Sequence, residues 1–340
     1  MGSRRFATGV VSALCGAACW GFSGTCMQFL FEHSEAPVLF TAAWRMTIAG
    51  VLLTLWLLVF RRGKLAALLA DRASVASIVV FGLIGLFFCQ VSYMLAIDWT
   101  NAGTATVLQA SNVIFVLALA CVHGRRLPHV FELAGVVTAL AATVLIATKG
   151  DLSTLAIPPQ GLFWGLASAV AVCFYVSWPV KLFGKWGSTP VTALGMLVGG
   201  VTAIVVLVVT ELAGVSDALG TAGSAASAAS TAATQAASDG YGTGAFSWLS
   251  TLDGASWAAL WAIALVGTLA SFGLYLHGVS IVGSVRGSLL GTVEPAAACI
   301  IAWAWLSTAF TWADWLGMLL MIATVFLVSV PRRPSPPSCA

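Results

Sequence analysis

Two ionisable side chains stand apart from their surroundings. Glu294 lies in GTVEPAAA, Gly291 to Ala298, and Arg45 in WRMTIAG, Trp44 to Gly50; each sits inside a long apolar run. Arg286 is the last charge before Glu294, and Asp314 is the next one after it. A carboxylate or guanidinium so placed can bind a counter-charge on a small molecule, exchange a proton, or pair with the other. Pro295 follows Glu294 directly, and with no N–H it leaves the carbonyl of Gly291 without its helical partner. That break would expose backbone beside the carboxylate. Asn112 and five rings, Trp20, Tyr93, Tyr175, Trp178 and Tyr275, also lie in apolar runs and offer an apolar body with a polar tip. Hydrolytic chemistry inside a membrane would need Ser with His or Lys, HExxH, or paired aspartates. The aspartates fall in loops or at run ends, and no HExxH occurs. No metal site, cofactor or catalytic residue is expected.

The elements that must hold these side chains follow from composition. Of 340 residues, 60% are hydrophobic and 8% charged, against about 25% charged in a soluble domain. Apolar runs long enough to cross a bilayer recur along the chain. They place spans near 8–30, 37–60, 74–97, 101–122, 129–147, 160–180, 190–212, 255–282, 286–308 and 312–330. The expected fold is an all-α integral membrane protein with ten transmembrane helices. The first run is too long for a signal-peptide core and leads directly into the second, so it is read as a retained helix. Most of the eight cysteines lie inside spans, where they serve as small apolar residues, and Cys15, Cys19 and Cys26 are read as packing.

Lysine and arginine set the orientation, because they are retained on the cytoplasmic side. With the N-terminus inside, thirteen of the fifteen, among them Arg61, Arg62, Arg125, Arg126, Lys181, Lys185, Arg286, Arg332 and Arg333, fall in cytoplasmic segments. Lys149 alone falls outside, and Arg45 lies within a span. Both termini are therefore expected in the cytoplasm of a plasma-membrane protein. Residues 213–254 form an outer segment of Ala, Ser, Gly and Thr, which cannot bury a core and is expected to be disordered. Removing about 30 residues between Asp217 and Ser247 should leave the fold closed.

The chain also repeats itself. A shift of 182 residues aligns Leu83 with Leu265, Gly85 with Gly267, Tyr93 with Tyr275 and Leu108 with Leu290; a shift of 152 aligns Gly9 with Gly161 and Phe22 with Phe174. The difference is about the size of the low-complexity insertion. Two repeats of five helices are implied, 8–147 and 160–330, and an odd number of helices makes the second enter from the opposite side. Such inverted repeats place substrate at the midplane between halves. Arg45 lies about eight residues into a span entered from outside, or ~12 Å deep, and Glu294 as far into one entered from inside. Both then approach the middle of a ~30 Å core, where an Arg45–Glu294 ion pair would satisfy each. The counterpart of Glu294 is Asn112, since 294 − 112 = 182, and Asn112 is expected to bond between helices.

At these residues the sequence resembles a known family. ACWGFSG (18–24), WRMTIAG (44–50), YMLAIDWTNAGTATVLQASNVIF (93–115) and YLHGVSIVGSVRGSLLGTVEPAAA (275–298) are similar, in this order, to the EamA-type transporters of the drug/metabolite transporter superfamily. The resemblance implies secondary transport of a small metabolite, in the direction of export, with an amino acid or related amphiphile as substrate and protons as a candidate coupling ion. By depth and chemistry, Glu294, Arg45, Asn112 and the five rings are the candidate substrate or coupling residues, with Gly291 and Pro295 as the helix break. Membrane lipid is the expected surrounding, as monomer or homodimer, and no nucleic-acid partner is indicated. No Walker A loop is present, which excludes ATP as this chain's own energy source. A sensor or scaffold on the same fold stays open.

Overall fold

The computed structural model describes residues 2–123, 127, 130–151, 156–212, 246–282, 290, 291 and 293–328. Arg125, Arg126, Arg286, Gly287, Arg332, Arg333, Cys339 and 213–245 of the low-complexity segment lie outside the described residues. Every regular element described is helical. The long helices are α1 Gly2–His33, α2 Val38–Phe60, α3 Arg72–Trp99, α4 Ala102–His123, α5 Val130–Thr148, α6 Pro159–Trp186 and α7 Ser188–Leu212. After the insertion, α8 joins Gly254–Ala264, Leu265–Ala270 and Ser271–Val282. The last two are α9 Val293–Leu306 and α10 Trp312–Val328. Among the described residues, eight are long and apolar enough to cross a membrane, and α9 and α10 are shorter apolar helices; the ten spans expected from sequence are matched by eight of that length.

Several starts are written in the sequence. Asn101, Asp253 and Asp71 stand before α4, α8 and α3, and each side chain accepts the backbone N–H three residues on, from Thr104, Ser256 and Ser74. These caps satisfy donors that the first turn leaves open. The exterior is apolar: Val59, Phe60, Val137, Val209 and Trp303 are each more than half exposed. A water-facing surface would not carry such a belt; a lipid-facing one requires it.

Inside, small residues let helices approach closely, the usual means of association where both lipid and side chains are apolar. Helix α1 packs on α8, α9 and α4, α2 on α7, α3 on α6 and α7, α4 on α9 and α6, and α5 on α10. A Cβ on Gly16 would lie 2.6 Å from the Tyr275 backbone nitrogen, and one on Gly21 2.7 Å from the Glu294 carbonyl oxygen. Only glycine fits at either crossing.

Among the described residues α3, α8 and α4 depart from regular geometry, and α6 is interrupted by a turn at Trp178–Pro179. Phe81–Phe88 in α3 and Leu265–Ala270 in α8 are π-helical. Helix α4 tightens at Ser111, whose N–H bonds Leu108 and whose carbonyl accepts from Ile114, three residues either way. The helix ends are tied by polar contacts. Gln28, buried on α1, donates to Glu32 and Thr308 and accepts from the Ala102 N–H. Lys149 pairs with Asp314, which also accepts from the Thr311 N–H and hydroxyl. Glu211, at the end of α7, accepts from the Phe246 N–H and the Trp248 indole, holding the return of the insertion against the bundle.

Candidate functional site

Arg45 enters the interior from α2 and is 5% exposed. All three of its nitrogens donate: Nε to the Thr268 hydroxyl at 2.9 Å, Nη1 to Gln90 Oε1 at 3.2 Å, and Nη2 to the Gly267 carbonyl at 3.2 Å. The π-helical turn of α8 explains the last bond. Widening the turn breaks the regular i to i−4 ladder, and the Thr268 hydroxyl also reaches back five residues to the Ile263 carbonyl at 3.2 Å. A charged donor thereby docks on backbone without opening a helix end. Burying it is tolerated because these neutral acceptors surround it.

Glu294 is in the opposite condition. It sits on α9 nine residues before Trp303, about half a turn away at ~100° per residue, so it faces away from the lipid side that Trp303 occupies. It is half-buried. Among the described residues its carboxylate has no hydrogen bond and no ion pair. The expected Arg45–Glu294 ion pair is therefore not closed. The two charges act on each other across the interior, and Glu294 acts likewise on Tyr93 and Tyr275.

The remaining candidates divide by place. Tyr93, buried on α3, shares a 2.7 Å hydrogen bond with the Thr106 hydroxyl, and its own hydroxyl occupies the space a side chain at Gly24 would fill. The Tyr275 hydroxyl does the same at Gly291, where an added Cβ would stand 2.9 Å from it. Trp20 packs on Tyr275 and Phe272 at centroid distances of 4.8 and 5.2 Å. Tyr175 stacks on Phe81 beside the π-helical part of α3. Pro295 is buried one residue beyond Glu294; Gly291 is helical, and Thr292 between them lies outside the described residues. Asn112 bonds the Gln109 carbonyl in its own helix at 3.0 Å, rather than reaching across to another. Trp178 is elsewhere: 44% exposed, it donates to the Ser77 carbonyl and stacks on Phe174. There it lines an apolar groove of about 540 Å³ between α4 and α6 with Phe115, Leu119, Val122 and Cys173.

Sequence reasoning missed Gln90, Gly267 and Thr268. Gln90 was legible as a polar residue in the run FFCQVSY; Thr268 carries no such signal, because hydroxyls are common in membrane helices. The described cysteines are free, and no metal-binding cluster occurs among the described residues.

An apolar-surfaced bundle with polar groups gathered inside defines a multi-pass helical membrane protein. The sequence pattern of the EamA-like transporter family matches residues 7–148 and 225–330. The chain is 30% identical over 334 residues to "Uncharacterized inner membrane transporter YicL" of Salmonella typhimurium, covering 98% of each. A solved crystal structure shares its fold at a TM-score of 0.53, with 17% identity and 96% of each chain covered. The chain belongs to the EamA-like transporter family, within the drug/metabolite transporter superfamily. It is a membrane transporter, and its family points away from an enzyme.

Proposed function

We propose that this protein is a secondary transporter of the plasma membrane that exports a small metabolite, an amino acid or related amphiphile, by alternating access between two inverted five-helix halves, with protons as the coupling ion. Both termini lie in the cytoplasm. The observation that carries the reading is Glu294: a carboxylate facing the interior, with no partner among the described residues. A group kept for packing would have been paired or replaced, because a charge at that depth costs at least ~2.5–3.5 kcal/mol.

The helix pairings support the halves. Exchanging α1–α5 with α6–α10 converts the α1–α8 contact into α6–α3 and α1–α9 into α6–α4, and maps α2–α7, α4–α9 and α5–α10 onto themselves. The π-helical stretches overlap under the same exchange, since 81–88 plus 182 gives 263–270 and the second runs 265–270. The charge pattern supports the orientation, and the lone outer lysine, Lys149, is neutralised by Asp314.

The test is flux. Everted vesicles are screened against a metabolite panel with and without a proton gradient, alongside Glu294→Gln, which keeps the shape and removes the titration. The expected result is gradient-driven accumulation by the wild type and none by the inserted, folded variant. Accumulation by Glu294→Gln with wild-type pH dependence would remove Glu294 as the coupling group. Binding without flux would make the protein a sensor.

A further inference from the structure

We infer that the interior site selects its substrate by positive charge: Glu294 receives an ammonium or similar organic cation, flanked by the Trp20–Tyr275–Phe272 rings, while Arg45 is held by the protein and does not receive a substrate carboxylate. This rests on the transport reading and goes beyond it, because an amino acid offers both charges and the family resemblance does not choose.

The two ionised groups are not equivalent. Arg45 has each nitrogen engaged, by Thr268 and Gly267 on α8 and Gln90 on α3. A substrate carboxylate would have to displace those partners or reach the remaining guanidinium hydrogens of a residue that is 5% exposed. Displacing the guanidinium forfeits three charge-assisted bonds and takes from Gln90 Oε1 its donor, although the Gly267 carbonyl keeps the Ser271 hydroxyl and the Thr268 hydroxyl keeps the Ile263 carbonyl, and that loss opposes the exchange. Glu294 demands no displacement. Its carboxylate has no partner among the described residues and is half-buried on the face turned from lipid.

The surroundings of Glu294 favour a cation further. Gly21, the residue after Trp20, brings α1 against the Glu294 backbone. Trp20 packs on Tyr275, whose hydroxyl lies at Gly291, one turn before Glu294. Ring faces carry negative potential and attract ammonium groups, most strongly where water is excluded. A carboxylate bordered by such rings repels an anion and accepts a cation with an apolar body. The amine of an amino acid is then required, and its carboxylate is dispensable.

The experiment uses the full-length protein in proteoliposomes. A hydrophobic carbodiimide is coupled to Glu294, read by mass spectrometry, in the presence of phenethylamine, tetraethylammonium or hydrocinnamate. Glu294→Gln supplies the unreactive control. Both cations should slow the coupling at least tenfold at saturation, and hydrocinnamate should not. Trp20→Leu should raise the cation concentration needed by about three- to tenfold, the loss expected of one ring. Protection by hydrocinnamate equal to that by the cations, no protection by either cation, or no coupling of Glu294 at all would each overturn the inference. The transport reading fails separately. Vesicles that move nothing while cations still protect Glu294 would refute transport and keep the cation site. Flux of N-acylated acids without protection by amines would do the reverse.

Discussion

Gly21→Ala adds one methyl group where α1 crosses α9. The new Cβ would lie 2.7 Å from both the Ala298 nitrogen and the Glu294 carbonyl oxygen, and 2.8 Å from the Ala297 Cβ. Ordinary contact begins near 3.4 Å, so the helices must part by 3.4 − 2.7, about 0.7 Å. Two of the three atoms are backbone, so no side chain can swing away to make room. Overpacking of this kind costs about 1–3 kcal/mol. The displaced helix also carries Trp20, so flux should fall together with stability. Gly273→Ala is the matched control: its Cβ would meet nothing within 4 Å. There, alanine's better helix propensity should add stability, by about 0.5–1 kcal/mol. The assay is thermal unfolding in one detergent, paired with flux in everted vesicles. The two substitutions should move the midpoint in opposite directions. If Gly21→Ala matches Gly273→Ala in both measurements, the close crossing of α1 and α9 is not a feature of the working protein.

Three further outcomes follow from polar contacts at the helix ends. Asp314→Ala should cost about 3 kcal/mol in thermal unfolding, because it strands Lys149 and uncaps Thr311, and adding Lys149→Met should recover part of the loss. Trp248→Phe retains the ring against Phe40 but removes the indole bond to Glu211, so proteolysis near Phe246 should quicken; deletion of 217–245, which spares that clamp, should leave insertion and flux intact. Lys185 and then Ser74 hold the Asp71 carboxyl down to about 2. The depressed value means its stabilising contribution is complete above the ordinary carboxylate range and is lost only as pH falls toward 2, so Asp71→Asn should loosen the loop before α3 equally at pH 5 and pH 8 by hydrogen exchange.

The bundle and the sites of Arg45 and Glu294 were legible because membrane burial is written in composition: a charge in an apolar run must face protein or water, whatever the detailed packing. The helix starts at Asn101 and Asp253 were legible for a local reason, a capping side chain three residues before its donor. What each charge bonds was not legible. Pairing Arg45 with Glu294 assumed that opposite charges at one depth meet, but the π-helical turn of α8 supplies a carbonyl and a hydroxyl that take the guanidinium instead. That turn leaves no mark in VGTLAS, since it depends on tertiary fit. Asn112 misled in a similar way. Its spacing suggested a neighbour helix, yet the amide bonds its own backbone, as short polar side chains do when they compete with the helix ladder. Trp178 looked like the other four rings in sequence, and only packing sends it to the lipid-side groove.

The positions of Asn112 and Glu294 carry the mechanism further. In the first half this position follows the tight turn at Ser111; in the second, Pro295 comes directly after Glu294 in the first turn of α9. Asn112 spends its amide on the Gln109 carbonyl, while Glu294 keeps an uncommitted carboxylate. Under the inverted-repeat proposal, alternation exposes one titratable group to each side in turn, and that group holds either one proton or one monovalent cation. For a substrate of net charge +1, an amine without a carboxylate, each cycle then exchanges a single positive charge for another and no net charge crosses, whereas a zwitterion would leave the proton's charge uncompensated. Flux of such an amine should follow the pH difference and ignore the membrane potential. In proteoliposomes, potassium with valinomycin sets the potential at fixed pH on both sides. A potential that drives accumulation there would require a second charge to move with the substrate, and Arg45, carried by α2 and bonded to Thr268 and Gly267 of α8, is not available to be that charge.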